Sequence, residues 1–262
     1  MGRVLRDSFW ISYDHLGKLF MANAIWFSLS FGAIILAASI ARYTGWSQSA
    51  RSLILASGFA ASLVTVPSVS AGMIHFTSLL VQKKDAEIKD LFQGMRRNSG
   101  RSVALSLLAT VVWAVLAANI MFYARVIGPR NFWLGVILGG MAIWMFAFYN
   151  VMLVYFAPLT VHRTAGPLGT FKLAALLTVD NLRLSSGLYL SVWVIILLAC
   201  LTGVGIIFLM AGLSGVLVNV GYGELARRYE RKHREKAGLE PLEEEDQYAG
   251  RGLRDILKPW EM

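Results

Sequence analysis

Charge is missing from long stretches of this chain. No Asp, Glu, Lys or Arg occurs in Leu19–Ala41, Ser52–Gln82, Ser102–Ala124, Asn131–Val161 or Leu184–Gly223. A helix needs roughly 20 apolar residues to cross the ~30 Å hydrocarbon core of a bilayer, and every one of these runs is long enough. The absence therefore predicts an all-α fold, a polytopic bundle of membrane helices. It also weighs against proton-driven pumps and voltage sensors, which carry ionisable groups inside the bilayer. Cysteine is almost absent as well. Cys200 stands alone inside the last run, so no intrachain disulfide and no CxxC metal or redox motif exists. It reads as a small packing residue. There is no Walker loop, no His-Glu-x-x-His and no Gly-x-Ser-x-Gly, so ATP-driven, zinc-protease and serine-hydrolase chemistry lack their parts. No cofactor and no metal are expected.

What is present fits the same reading. Hydrophobic residues make up 56% of the chain and charged residues 16%, respectively above and below what soluble domains carry. The net charge of +9 comes from basic residues that flank the apolar runs, where they meet anionic headgroups. That placement points to a lipid surface and away from nucleic acid. The first run is 23 residues, too long for the ~7–15-residue core of a cleaved signal peptide.

Counting crossings gives six. Runs one and three are 23 residues and runs two and four are 31, one crossing each. Run five, with 40 residues, would extend about 60 Å as helix, twice the core. It is expected to cross twice as a tight hairpin, turning at Thr202-Gly203-Val204-Gly205, where paired glycines supply backbone freedom. Charge asymmetry supports this count. With the N-terminus in the cytoplasm, six crossings leave only Arg42, Arg51, Arg125 and Arg130 outside and the other 21 Lys and Arg inside. Five crossings would split them 12 to 13 and lose the positive-inside bias. Both termini are thus expected in the cytoplasm. Every Asp and Glu also falls inside, so an outer-face site built on paired acids or on calcium is excluded.

The chain accordingly divides into an interfacial N-terminal segment (1–18), a six-helix transmembrane domain (19–223) and a basic, then acidic, cytoplasmic tail (224–262). Within the first inner connection, residues 85–95 are expected to form a short interfacial helix. Asp85 would be its N-cap, Ile88, Leu91, Phe92 and Met95 its apolar face, and Asn98-Ser99-Gly100 its end. Lys83, Lys84, Arg96, Arg97 and Arg101 surround it, and Arg227, Arg228 and Arg231 open the tail. These are the expected contacts to anionic lipid or to the cytoplasmic domain of a partner. Phe9, Trp10, Tyr13 and Leu16 suggest an interfacial helix leading in, and residues 170–186 are too polar to cross. In the tail, Leu253, Ile256, Leu257 and Trp260 share a helical face; the segment is either a docking peptide or a solvated tail.

Polar residues inside a membrane are functional candidates by default. Run two is the richest. Thr65, Ser68, Gly72 and His75 share one helical face around Pro67. Pro67 should kink the helix and free the carbonyl of Leu63, which nearby hydroxyls would bond. The face is either the lining of a pathway or a small-residue seam against another helix, and the seam is favoured. A lone His75 cannot supply bis-histidine haem ligation; His162 is its nearest potential partner by depth. Asn23, Asn119 and Asn150 are expected to hydrogen-bond across helices. Gly135 and Gly139 form a GxxxG motif that permits close helix approach.

Several motifs carry a family resemblance. They are Val64-Thr65-Val66-Pro67-Ser68-Val69-Ser70-Ala71-Gly72, Leu79-Leu80-Val81-Gln82-Lys83-Lys84 and Asp90-Leu91-Phe92-Gln93-Gly94-Met95-Arg96-Arg97-Asn98. Leu16-Gly17-Lys18-Leu19, Asn23-Ala24-Ile25-Trp26, Phe171-Lys172-Leu173-Ala174 and Asp180-Asn181-Leu182 join them. Over about residues 14–220 the chain resembles the YesL-type family of bacterial membrane proteins, whose function is unknown. The resemblance implies a small plasma-membrane protein associated with carbohydrate-uptake systems, and no catalytic residues. The chain departs from the family where Gly203-Val204-Gly205 replaces a proline turn, and in its long charged tail.

The leading functional expectation is an accessory or structural subunit of a larger membrane assembly, with other membrane-protein subunits and anionic lipids as partners. The alternative is a small-solute transporter or channel lined by the Thr65–His75 face. A lipid-directed enzyme at the inner face would need a reactive group near His162–Arg163, and none is evident.

Overall fold

The computed structural model describes residues 1–43, 47–82, 84–163, 165–240 and 248. The described residues form helices and their connections, with no strand among them. In chain order they form α1 (Gly2–Asp14), α2 (Leu16–Tyr43), α3 (Gln48–Val81), α4 (Ile88–Phe122) and, after a π-helical turn at Tyr123–Ile127, α5 (Phe132–Met152). A 3-10 turn at Leu153–Tyr155 leads into α6 (Phe156–His162). Then follow α7 (Pro167–Asp180), α8 (Leu182–Thr202), α9 (Val204–Phe208) and α10 (Met210–Lys236).

Among the described residues five helical segments are long and apolar enough to cross a membrane: Leu16–Arg42, Gln48–Val81, Ile88–Ile127, Phe132–His162 and Leu182–Thr202. The expected sixth is not a continuous apolar helix. The return from α8 is broken at Leu209, and the second half of α10 carries charge from Glu224 onward. The turn itself lies where the paired glycines place it. Gly203 has φ +66°, a conformation open to glycine at little cost. The Gly205 N–H donates to Thr202 Oγ1 at 3.2 Å, closing the turn.

The first inner connection also differs from expectation. Glu87, not Asp85, is the N-cap of α4, in a capping box with Asp90 whose carboxylate accepts from the Glu87 N–H at 2.8 Å. The helix then runs through Asn98, Ser99 and Gly100 to Phe122 instead of ending there. Residues 88–95 are its first turns, not a separate helix. Asn98 and Ser99 do not stop it because their side chains bond back to the carbonyls of Gly94 and Met95, four residues earlier.

The buried core centres on the first half of α10. Val216, Leu217 and Val220 pack with Leu19 of α2, Met73 and Phe76 of α3, and Leu188 of α8. Glycines set these approaches. A Cβ at Gly221 would lie 2.6 Å from the Leu188 methyls, and one at Gly215 would lie 2.9 Å from Thr77 Oγ1. The C-terminal part of the last apolar run is thus the axis around which α2, α3 and α8 pack.

Candidate functional site

Two residues of the polar face of α3, Gly72 and His75, pack against α4. Gly72 meets α4 at Leu91 and Met95, and a Cβ there would collide with the Leu91 carbonyl. One turn on, Gly94 of α4 lies against His75: a Cβ on Gly94 would sit 2.5 Å from His75 Cβ. The two glycines let the helices cross backbone to backbone. Pro67 lies inside α3 without ending it. Ser68 Oγ donates to the Val64 carbonyl at 2.7 Å, not to that of Leu63. Thr65 Oγ1 is buried with no partner among the described residues.

Of the asparagines singled out, only Asn23 bridges helices. Asn119 and Asn150 donate to Val115 and Phe146, each on its own helix. Asn23 is fully buried. Its Nδ2 donates to the carbonyls of Ile206 at 3.0 Å and Ile207 at 2.8 Å, and its Oδ1 accepts from the Gly212 N–H at 2.9 Å. These groups flank Leu209, where α9 gives way to α10. Interrupting a helix orphans carbonyls before the break and N–H groups after it. One side-chain amide satisfies both kinds. Phe20 stacks on Phe208 beside it, ring centroids 3.9 Å apart.

A second hub, Asn219, is not marked by any sequence motif. It is buried on α10, and its Nδ2 faces the Ile74 carbonyl (3.1 Å), Thr77 Oγ1 (2.9 Å) and the Gly215 carbonyl (3.0 Å). Its Oδ1 faces His162 Nε2 at 3.3 Å. With the amide nitrogen committed to acceptors, the oxygen must accept, so this geometry assigns the proton to His162 Nε2. The His162 ring stacks on Tyr222 at 5.2 Å. The available signal was the pair of glycines at 212 and 215, which share a helical face with Asn219, a small-residue face on a helix that must pack closely.

Further ties complete the interior. The Trp26 indole N–H donates to Ser70 Oγ at 3.0 Å, joining α2 to α3. The Tyr155 hydroxyl lies 2.7 Å from Ser185 Oγ, joining the 3-10 turn to α8. Beside these, a cavity of about 280 Å³ is bordered by α2, α3, α8, α10 and the Leu153–Ala157 stretch. Gly135 approaches Gly128, a Cβ on it falling 2.5 Å from Gly128 Cα, while Gly139 faces Tyr123 Cβ. The GxxxG face is therefore used within the α4–α5 hairpin.

The basic residues divide by role. Arg101 reaches across to cap the carbonyls of Arg163 and Ala165 (3.0 Å to the latter), fixing the α6–α7 connection. Arg228 and Arg231 lie 3.1 and 3.6 Å from the buried Glu224 carboxylate. Lys84, Arg96, Arg97 and Arg227 are exposed; Lys83 lies outside the described residues, as does most of the tail beyond Glu240. At the α7–α8 turn, the Tyr229 hydroxyl donates to Asp180 at 3.0 Å and accepts from Asn181 at 2.9 Å. Partial burial and the Asp180 carboxylate hold this phenol above its usual range.

The fold defines an all-α protein with five helices of membrane-crossing length and apolarity. Among the described residues no group of three or more His, Cys, Asp or Glu is placed to hold a metal ion. No family model matches the chain, and no match was found among curated proteins or solved structures.

Proposed function

We propose that the protein is a non-catalytic accessory or structural subunit of a bacterial plasma-membrane assembly. On this reading it crosses the bilayer six times with both termini in the cytoplasm. The sixth crossing is the 20-residue uncharged return Val204–Gly223, taken as one crossing despite its break because Asn23 satisfies the backbone there. The YesL-type motifs are what support a bacterial membrane and an association with carbohydrate uptake.

One observation carries the accessory role. Within the apolar window of Ile88–Ile127 only 6% of residues are buried, against 22% in the α2, α3 and α8 windows. The α4–α5 hairpin presents Trp113, Trp133, Trp144 and Met145 outward, Trp144 at 76% exposure. Large aromatic anchors on an otherwise apolar helix surface are what buried interface centres use. Meanwhile Ser68, Thr77 and Asn219 spend their hydrogen bonds on backbone carbonyls inside the chain.

The test is site-specific photo-crosslinking in native membranes, with a benzophenone amino acid at Trp144 or Trp113. A discrete adduct with another membrane protein is expected from these positions, and none from Leu53, which is also exposed but lies on α3. Adducts with lipid alone, together with a monomer on mild-detergent gel filtration, would sink the proposal.

A further inference from the structure

Two interruptions of helical geometry border the same cavity. The 3-10 turn Leu153–Tyr155 contributes Leu153 and Val154, and the start of α10 after the Leu209 break contributes Met210, Ala211 and Ser214. Non-helical backbone at membrane depth is tolerated where it is buried in protein or lines a cavity. Broken helices commonly flank the solute site when a membrane protein has one. Here Asn23 satisfies the break without turning a polar group toward the cavity, since its amide is committed to Ile206, Ile207 and Gly212.

The lining specifies a ligand chemistry. Trp26, Met73, Ile196 and Met210 make it apolar, and no charged side chain borders it. Two hydroxyls do. Ser70 already accepts from Trp26, which leaves its own proton to donate. Ser214 Oγ is buried with no partner among the described residues. An ion here would meet apolar walls and no counter-charge, which disfavours it. An acyl chain would leave the Ser70 hydroxyl proton without an acceptor, a penalty of its own. At about 280 Å³ the space falls just below the roughly 300–1,000 Å³ of drug-sized sites. Two methionines and an indole favour an aromatic ring. We infer that this cavity is a binding site for a small uncharged solute, largely apolar or aromatic, carrying one hydroxyl or carbonyl. The site goes beyond the accessory role and does not depend on it.

The probe is 4-bromophenol, uncharged at neutral pH, against 4-bromobenzoate, the same ring bearing a carboxylate. In nanodiscs, a variant with Trp26 as its one tryptophan reports proximity through bromine quenching. Saturable quenching by 4-bromophenol and none beyond background by 4-bromobenzoate is expected. Ser70→Ala should raise the dissociation constant about fivefold, the loss of one neutral hydrogen bond. Ala211→Phe, which fills the cavity, should abolish saturation. A parallel arm uses nanodiscs of phosphatidylcholine with brominated acyl chains. Strong Trp26 quenching there that unbrominated phenol does not relieve would assign the cavity to lipid and overturn the inference. If the single-tryptophan variant does not fold, the melting shift of the wild-type chain decides. Phenol should raise it saturably, and Ala157→Leu should remove the rise. A shift that is absent, or unchanged in that variant, overturns the inference.

Discussion

At the scale of single residues, the strongest interior constraint is one amide. Asn23 offers two donors and one acceptor to a helix break that presents two carbonyls and one N–H in matching positions. No other neutral side chain of that length offers two donors together with an acceptor. Asn23→Ala should destabilise the protein by at least about 2 kcal/mol, because buried backbone groups lose their partners. Asn23→Asp gives the sharper result. It keeps the shape and the acceptor for Gly212 but turns an anion toward two carbonyls, so it should destabilise at least as much as Ala. Thermal unfolding in detergent reads both; an Asp variant as stable as the wild type would show that the amide does not hold the break. Asn23 could be picked out in the sequence as polar within an apolar run, but its partners could not, because they lie more than 180 residues away. Asn219 escaped notice for a related reason. A lone asparagine among glycines and valines has no local pattern, and its four contacts come from three different helices.

At the scale of elements, periodicity and charge locate the helices well and their ends less well. The absence of charge identifies α2, α3, α5 and α8 directly. It misjudges α4, where the basic residues at 96, 97 and 101 read as the surroundings of a short interfacial helix but lie on a continuous helix beginning at Ile88. The reason is local: Asn98 and Ser99 bond back into the helix, and the α3 crossing at Gly72 and Gly94 holds the first turns in place. That crossing yields a paired prediction within one helix. Gly94→Ala puts a methyl against the His75 side-chain base, an overpacking that costs about 1–3 kcal/mol. Gly100→Ala meets nothing within 4 Å, and in a helix interior it should stabilise by roughly 0.5–1 kcal/mol. Denaturation midpoints of the two variants should therefore move in opposite directions. Movement in the same direction would mean that α3 and α4 do not cross at these glycines.

At the scale of the whole molecule, the open question of architecture is how the chain sits across a bilayer, and it turns on the α8–α10 return. Five helices qualify by continuous length; the sixth crossing combines α9, a break and the first half of α10, and it is also the helix around which the core packs. A helix central to the core yet interrupted within it is what simple hydropathy reads least well, since burial in protein relieves the need for an unbroken apolar span. The two counts differ in one observable. Six crossings place Lys236 on the same side as Lys84; five place it opposite. Replacing Cys200 with Ser removes the native thiol, and single cysteines at Ser47, Lys84, Arg130 and Lys236 then report sidedness to a membrane-impermeant maleimide. In intact cells with a permeabilised outer membrane, Ser47→Cys and Arg130→Cys should react. Lys84→Cys and Lys236→Cys should react only after the inner membrane is opened. Labelling of Lys236→Cys from outside, with Lys84→Cys still protected, would establish five crossings and place the basic helix of α10 against the positive-inside bias.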